Sequence, residues 1–287
     1  MAGCRAMVWG KDLSRKAHDG TKGDMGIAVL DLGYVELPLG TLDATRIEAV
    51  WRYGLAAGQP QRVLPDGRMD LVAHCVLHPD SSVASVRLVV AGPADTATQV
   101  VLRANTVLVG VRFHMGWGGV CLGVVPRTLR NQALTGPCAL ALLGPLADAV
   151  VRADTVPRAQ AALCAAVSTL AARAVVTAAH GRALQAIAQM KRRIQAGAYG
   201  DVPGAESSSR TLRRDIVAVA GFPLRTLSGV LRFQRALELL DAGGGPLSGV
   251  AVAAGYTDQA HMTREFRRFG GFTPTVPPPA PLVRLFG

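Results

Sequence analysis

The sequence lacks three features that would have assigned it to a class at once. Its five cysteines are scattered with no C-x-x-C spacing, which argues against a disulfide framework and against a zinc site. The longest uncharged run, residues 131–147, is interrupted by two Gly-Pro pairs and is too short to span a bilayer. No apolar segment follows the N-terminal charges, so a secretory signal is not expected. These absences predict a cytoplasmic protein without a membrane segment.

Lysine is also scarce, with 4 residues against 27 arginines, in a sequence rich in alanine and glycine. That bias is typical of a GC-rich coding genome, so the arginine excess alone indicates nothing. The distribution of charge is more informative. Residues 1–157 hold 15 basic and 13 acidic side chains, whereas residues 158–287 hold 16 basic and 7 acidic ones. The cationic C-terminal half indicates a polyanionic partner, most simply nucleic acid.

Residues 247–274 have the pattern of a helix-turn-helix unit. Apolar residues at helical spacing, from Leu247 to Ala254, predict a short first helix, and Gly255 permits a sharp turn after it. Asp258 stands where an N-cap is expected, and a second helix should end near Phe269 before two glycines. Helix, glycine turn and helix is the arrangement with which many proteins read DNA.

The second predicted helix has two chemically different faces. At ~100° per residue, Met262, Phe266 and Phe269 share one face, and Arg264 points away from them. Arginine can bind guanine bidentately and glutamine can read adenine, whereas other cations neutralise phosphates. On periodicity alone, an ordinary amphipathic surface helix explains this pattern equally well.

The segment also resembles the second helix-turn-helix of AraC-type transcription regulators. The residues that carry the resemblance are Ala253-Ala254-Gly255-Tyr256, Asp258-Gln259-Ala260-His261, Arg264-Glu265-Phe266-Arg267-Arg268 and Phe272-Thr273-Pro274. The resemblance implies DNA-binding roles for residues of this helix, namely Gln259, His261, Thr263, Arg264 and Arg268.

A first unit is expected at residues 197–221, and it is less regular. Residues 208–216 resemble the family's Ser-x-Arg-x-Leu-Arg-Arg recognition segment, which implies that Arg210, Arg213 and Arg214 contact DNA. The preceding stretch departs from the family pattern, because Pro203 and two glycines should weaken its positioning helix. The alternative is that residues 207–219 form a solvated arginine helix. A linking helix is predicted over residues 224–241.

The N-terminal half shows short strand-like runs separated by turn signals. The runs are residues 47–53, 69–77, 85–91, 99–102 and 107–113. Residues 62–72, 89–93 and 110–113 resemble the β-rich, cupin-like sensory domain that precedes AraC-type DNA-binding domains in many actinobacterial regulators. Helices are expected over 126–130, 140–152 and 159–190, the last interrupted at Gly181.

Neither a metal nor a catalytic site is convincing in this sequence. His74, His78 and His114 show no His-x-His arrangement, and no glutamate follows at a suitable distance. Asp66 and Asp70 could act as an acid–base pair, but Pro-Asp-Gly at residues 65–67 is better explained as a hairpin turn. We therefore expect no enzyme activity, no cofactor and no metal.

These observations predict an α+β chain, with a small β-barrel or sandwich-like domain followed by an all-α domain. The expected divisions are a flexible tail (1–33), a sensory domain with trailing helices (34–152), a helical connector (153–196), a DNA-binding domain with two units (197–275) and an extended, exposed proline-rich tail (276–287).

The expected function is sequence-specific regulation of transcription, with the two units reading adjacent major grooves of double-stranded DNA. RNA polymerase is the expected protein partner, a small-molecule effector and a homodimer remain open, and no membrane is involved. The alternative is a cupin-like small-molecule-binding protein or enzyme whose helical domain has degenerated.

Overall fold

The computed structural model describes residues 33–55, 60–101, 104–198, 210–276 and 282–283. The predicted flexible tail therefore lies outside the described residues, apart from Gly33. Over the described ranges, the fold is an antiparallel β-sheet domain followed by helices, as the sequence predicts.

The described strands form a six-stranded sheet and a three-stranded sheet. The strands are β1 Gly33–Leu37, β2 Ile47–Leu55, β3 Pro60–Val63, β4 Met69–Leu77, β5 Val83–Ala91, β6 Thr98–Val101, β7 Thr106–Phe113, β8 Ala133–Thr135 and β9 Leu282–Val283. The large sheet has the order β1-β2-β7-β4-β5-β8 and is antiparallel throughout, and the small sheet has the order β6-β3-β9.

The two faces of the large sheet face different neighbours because side chains alternate along each strand. On β7, Val107, Val109 and Val111 belong to a core shared with the first four helices. Leu108, on the opposite face, packs with Trp51, Tyr53 and Val72, and with Val100 of the small sheet. The four helices are α1 Gly118–Leu122, α2 Pro137–Leu143, α3 Leu146–Val151 and α4 Val156–Arg173, with a 3-10 helix at Pro126–Leu129.

Five further helices lie in the described part of the C-terminal half. They are α5 Ala178–Gln195, α6 Arg210–Ala220, α7 Leu224–Asp241, α8 Leu247–Ala253 and α9 Gln259–Phe269. The buried face of α5 packs with Ile216 of α6 and Leu227 of α7 in one core, whereas Phe233 of α7 and Phe266 of α9 belong to another. Helix α7 therefore contributes to both cores and joins the two predicted units.

Two helix boundaries differ from the sequence prediction. The interruption expected at Gly181 lies instead at residues 174–177, where Thr177 caps α5 by accepting a hydrogen bond from the His180 amide. Gly181 remains inside α5, with open space around its Cα. The helix expected over 140–152 is divided at Gly144-Pro145, because proline lacks the amide that would continue the ladder.

Three further predictions need correction. The Pro65-Asp66-Gly67 turn is not a hairpin, because β3 pairs with β6 in the small sheet and β4 lies in the large one. Leu282–Val283 of the proline-rich tail pairs in parallel with β3 instead of lying free. Cys138 forms a disulfide that its spacing did not predict, whereas Cys75, Cys121 and Cys164 are free thiols.

Candidate nucleic-acid interface

The second unit consists of α8, a glycine turn and α9, as the sequence predicts. Gly255 has a φ of 82°, in the left-handed region that only glycine adopts easily. The Asp258 carboxylate accepts a hydrogen bond of 2.6 Å from the His261 amide and thereby caps α9. The turn and the cap together fix where α9 begins and how it leaves α8.

The buried face of α9 is the predicted apolar stripe. Met262, Phe266 and Phe269 are fully buried. Phe233 of α7 packs edge-on against Phe266 and tilted against Phe269, with ring centroids 4.9 and 6.0 Å apart. Aromatic pairs in these geometries fix relative orientation as well as burying area. The stripe therefore sets which side of α9 faces outward.

The outward side of α9 carries the residues that the resemblance implied. Gln259, Arg264 and Arg268 are exposed, while His261 and Thr263 are half-buried. His261 Nδ1 lies 2.8 Å from the Thr257 hydroxyl, which orients the imidazole. The Thr263 hydroxyl donates to the Gln259 carbonyl at 2.9 Å, so its oxygen is left to act as an acceptor.

An ion pair that sequence reasoning missed holds α9 against α7. Arg232 is buried and donates to the Ser228 hydroxyl at 2.9 Å and to the Glu265 carboxylate at 3.4 Å. Its guanidinium also lies over the Tyr256 ring, 5.6 Å from the centroid. Burial raises the pKa of Tyr256 well above its ordinary value, so the ring stays neutral under this cation. Glu265 is thus a structural residue on an otherwise cationic helix.

The first unit presents its arginines from α6. Arg210, Arg213 and Arg214 are exposed, and the buried Ile216 and Ala220 face the core shared with α5. The buried Asp215 accepts hydrogen bonds of 2.8 and 3.1 Å from Arg182, which tie α6 to α5. The predicted weak positioning helix falls mostly within residues 199–209, outside the described residues.

The N-terminal domain contacts the second unit at the end of α9. Arg62 of β3 donates to the Gly270 carbonyl at 2.8 Å, and the Ala97 amide donates to the Phe269 carbonyl at 2.7 Å. Leu64, just after β3, is buried in the core of the second unit, and the Gln234 amide donates to the Pro65 carbonyl. Two donors from the sheet domain thus satisfy carbonyls that the C-terminus of a helix leaves unpaired.

A second interdomain contact depends on the buried Asp95, which holds Arg130 against Phe222 of the C-terminal half. Its carboxylate accepts hydrogen bonds from Arg130 at 2.5 and 3.1 Å and from Asn131 at 2.7 Å. Burial alone would raise the pKa of Asp95, but these hydrogen bonds and the charges of Arg130 and Arg268 outweigh it and hold the pKa below its usual range. Arg130 in turn lies over the Phe222 ring, 5.4 Å from its centroid.

The candidate acid–base and metal-binding residues Asp66, Asp70 and His74 are buried inside the N-terminal domain, where their neighbours indicate a role in stability. Asp66 and Asp70 are buried beside Arg112, 3.8 and 3.3 Å from its Nε, and Asp70 also accepts from Trp51 at 2.8 Å. Burial, with the charge of Arg87, lowers the pKa of His74 to about 3, so this imidazole is neutral. Within the part of the chain that the structure describes, no three His, Cys, Asp or Glu side chains are grouped to hold a metal ion.

None of the described helices can span a membrane by itself, because no single one is long and apolar enough. Two bent pairs, α4 with α5 and α6 with α7, pass the length and composition test together.

Family models match residues in both halves of the chain. A family model described as a helix-turn-helix domain matches residues 205–276, and a model described as a domain of unknown function matches residues 41–135. No curated protein matches.

Solved structures similar to the chain include two of ToxT from Vibrio cholerae. The unsaturated fatty acid-bound form from strain SCE256 is 14% identical, with a TM-score of 0.40, over 80% of this chain and 94% of that one. The structure from O395 is 12% identical, with a TM-score of 0.37, over 80% and 94% of the two chains.

The helix-turn-helix match covers α6 to α9, where the turn, the cap and the arginine-bearing faces have just been described. The chain therefore has the helix-turn-helix domain of a DNA-binding transcription regulator, and this domain follows a β-rich N-terminal domain.

Proposed function

We propose that α6 and α9 are the two recognition helices and that they read adjacent major grooves on one side of duplex DNA. The observation that carries this proposal is the position of Arg264, exposed and opposite the buried Met262, Phe266 and Phe269. A helix fixed to its domain by an apolar stripe and presenting arginine on the other side suits the major groove. Helix α7, which contributes to both cores, holds the two helices at a set separation.

Within this proposal, the exposed side chains have separate roles. Arg264 and Gln259 read base edges, with His261 and Thr263 beside them. Arg268 of α9 and Arg213 of α6 contact phosphates, while Arg210 and Arg214 make the base contacts of the first unit. The Phe269 and Gly270 carbonyls at the end of α9 take no part, because donors from the sheet domain satisfy them.

The remaining expectations concern partners and place. We propose that the protein acts in the cytoplasm as a regulator without catalytic activity, that it contacts RNA polymerase, and that the β-rich domain receives the regulatory signal. Binding of a small effector and formation of a homodimer stay predictions, which calorimetry with candidate ligands and sedimentation of the full chain would test.

The direct test is selection of bound duplexes from a random library by the full chain, followed by footprinting of the selected site. Two protected segments centred about one helical turn apart on one face of the duplex are expected. A single protected segment would mean that only one unit reads DNA. Absence of binding by folded protein at low salt would overturn the proposal.

A further inference from the structure

The segment around the 3-10 helix Pro126–Leu129 belongs to the N-terminal domain, yet it lies against the first recognition helix. Pro126 packs beside Gly221, at the C-terminal end of α6, where a Cβ on the glycine would lie 3.1 Å from the proline carbonyl carbon. Gly221 has a φ of 80° and so suits this close approach. Arg130, over the Phe222 ring and paired with Asp95, fixes the other end of the segment.

This packing creates a groove between the two domains along one side of α6. It is lined by Val125 and Arg127 from the N-terminal domain, and by Arg213, Arg214, Val217 and Ala218 from α6. Three of the six lining residues are arginines, and none is acidic. Arg127 is exposed and forms no ion pair or side-chain hydrogen bond with any residue that the structure describes.

The outward face of α6 changes character along its length. Its first turns present Arg210, Arg213 and Arg214, but the following outward positions are Val217 and Ala218, which carry no charge. Asp215 is buried and neutralised by Arg182, so it does not offset the arginines. Arg127 therefore supplies a cation beside the C-terminal half of α6, whose outward face carries no charge of its own.

We propose that Arg127 contacts the phosphate backbone of the DNA beside the first recognition helix, so that the N-terminal domain forms part of the DNA-binding surface. The inference rests on the proposed function of α6. The guanidinium groups of Arg127 and Arg214, with no acidic side chain among the described residues that line the groove, are complementary to a polyanion, and each phosphate contact releases condensed counterions. The contact carries no base information, so it should strengthen binding to every sequence alike.

The test compares Arg127→Ala with Arg173→Ala, which removes an exposed arginine at the end of α4 that does not line the groove. Binding of a selected duplex and of an unrelated duplex is measured from about 50 to 200 mM salt. The expected result for Arg127→Ala is weaker binding to both duplexes, with a log–log salt slope shallower by about 0.9, which is a change of roughly threefold across that range. Arg173→Ala should match the wild-type protein.

A rescue variant separates charge from packing. Adding Ala218→Lys to Arg127→Ala places a cation in the same groove and should restore the salt slope. DNA binding by Arg127→Ala equal to that of the wild-type protein would overturn the inference. Tighter binding would also overturn it, because it would mean that the segment around Pro126–Leu129 blocks access of DNA to α6. Failure of Ala218→Lys to restore the slope would also count against it. Absence of DNA binding by the wild-type protein would instead remove the proposed function itself.

Discussion

Arg264 and Arg268 lie one turn apart on α9, yet their surroundings differ. Arg264 is exposed and opposite the buried stripe, near the capping carboxylate of Asp258. Arg268 lies over the Phe269 ring, 4.8 Å from its centroid, and its charge acts on Asp95 of the N-terminal domain. The first arginine is free to enter a groove, whereas the second is held at the end of the helix that faces the other domain.

We expect Arg264→Ala to relax sequence preference at one base pair, because a lost bidentate contact costs roughly 1–3 kcal/mol of discrimination. Arg268→Ala should lower the affinity for all DNA sequences by a similar factor, as loss of a phosphate contact does. Binding-site selection with both variants at matched ionic strength measures the difference. If Arg264→Ala kept the wild-type preference and merely bound less tightly, the assignment of Arg264 to base reading would be wrong.

Asp95 gives a pH-dependent prediction. Because its pKa is lowered in the folded protein, its contribution to stability is complete at neutral pH and is lost as the pH falls below the ordinary carboxyl value of about 4. Asp95→Asn should lower the free energy of unfolding by about 1–3 kcal/mol near neutral pH, since Arg130 loses its charged partner. The gap between variant and wild type should close below pH 4.

Thermal unfolding of both proteins between pH 3 and pH 7 checks this expectation. Asp148→Asn is the matched control, because Asp148 forms an exposed pair with Arg152 at 3.6 Å, which contributes little. A gap between Asp95→Asn and wild type that stayed constant across the range would contradict the role given to the Asp95 charge.

At the scale of elements, the C-terminal end of α9 depends on donors from another domain. Arg62 both donates to the Gly270 carbonyl and places a cation where the helix dipole is negative. We expect Arg62→Ala to destabilise this end by about 1–2 kcal/mol. Amide hydrogen exchange should accelerate over residues 266–271 more than over α6.

The control for this variant is Arg87→Ala, an exposed arginine on β5. It should leave the exchange of α9 unchanged. Equal exchange of residues 266–271 in Arg62→Ala and wild type would show that the Ala97 amide and the core around Leu64 hold the helix end without the arginine.

Helices and strands were largely predictable from the sequence where their apolar periodicity lies within one continuous segment. The bounds of α7 and β4 match the sequence prediction, because each follows an uninterrupted apolar period between turn residues. Strand β3 was missed because it is four residues long and starts with proline. The break at residues 174–177 was misplaced because Gly181, surrounded by open space, is tolerated within α5.

For the whole molecule, the sequence predicted the outward face of α9 but not what the sheet domain adds to it. The face follows from a 3.6-residue period within eleven residues. The contacts of Arg62 with Gly270 and of Gln234 with Pro65 join residues 208 and 169 positions apart, and no local pattern encodes such pairings. These contacts between the two domains could therefore be recognised only in the structure.

The salt dependence of DNA binding is the property of the whole molecule that the charge distribution predicts. Each neutralised phosphate contributes about 0.9 to the magnitude of the slope of log affinity against log salt, so contacts from Arg213, Arg268 and Arg127 should give a slope of magnitude about 3. Titration of a fluorescent duplex from about 50 to 300 mM salt measures it. Arg213→Ala and Arg268→Ala should each reduce the slope by about one unit, whereas Arg173→Ala should not. A slope near zero in the wild-type protein would mean that α6 and α9 present their arginines to something other than a phosphate backbone.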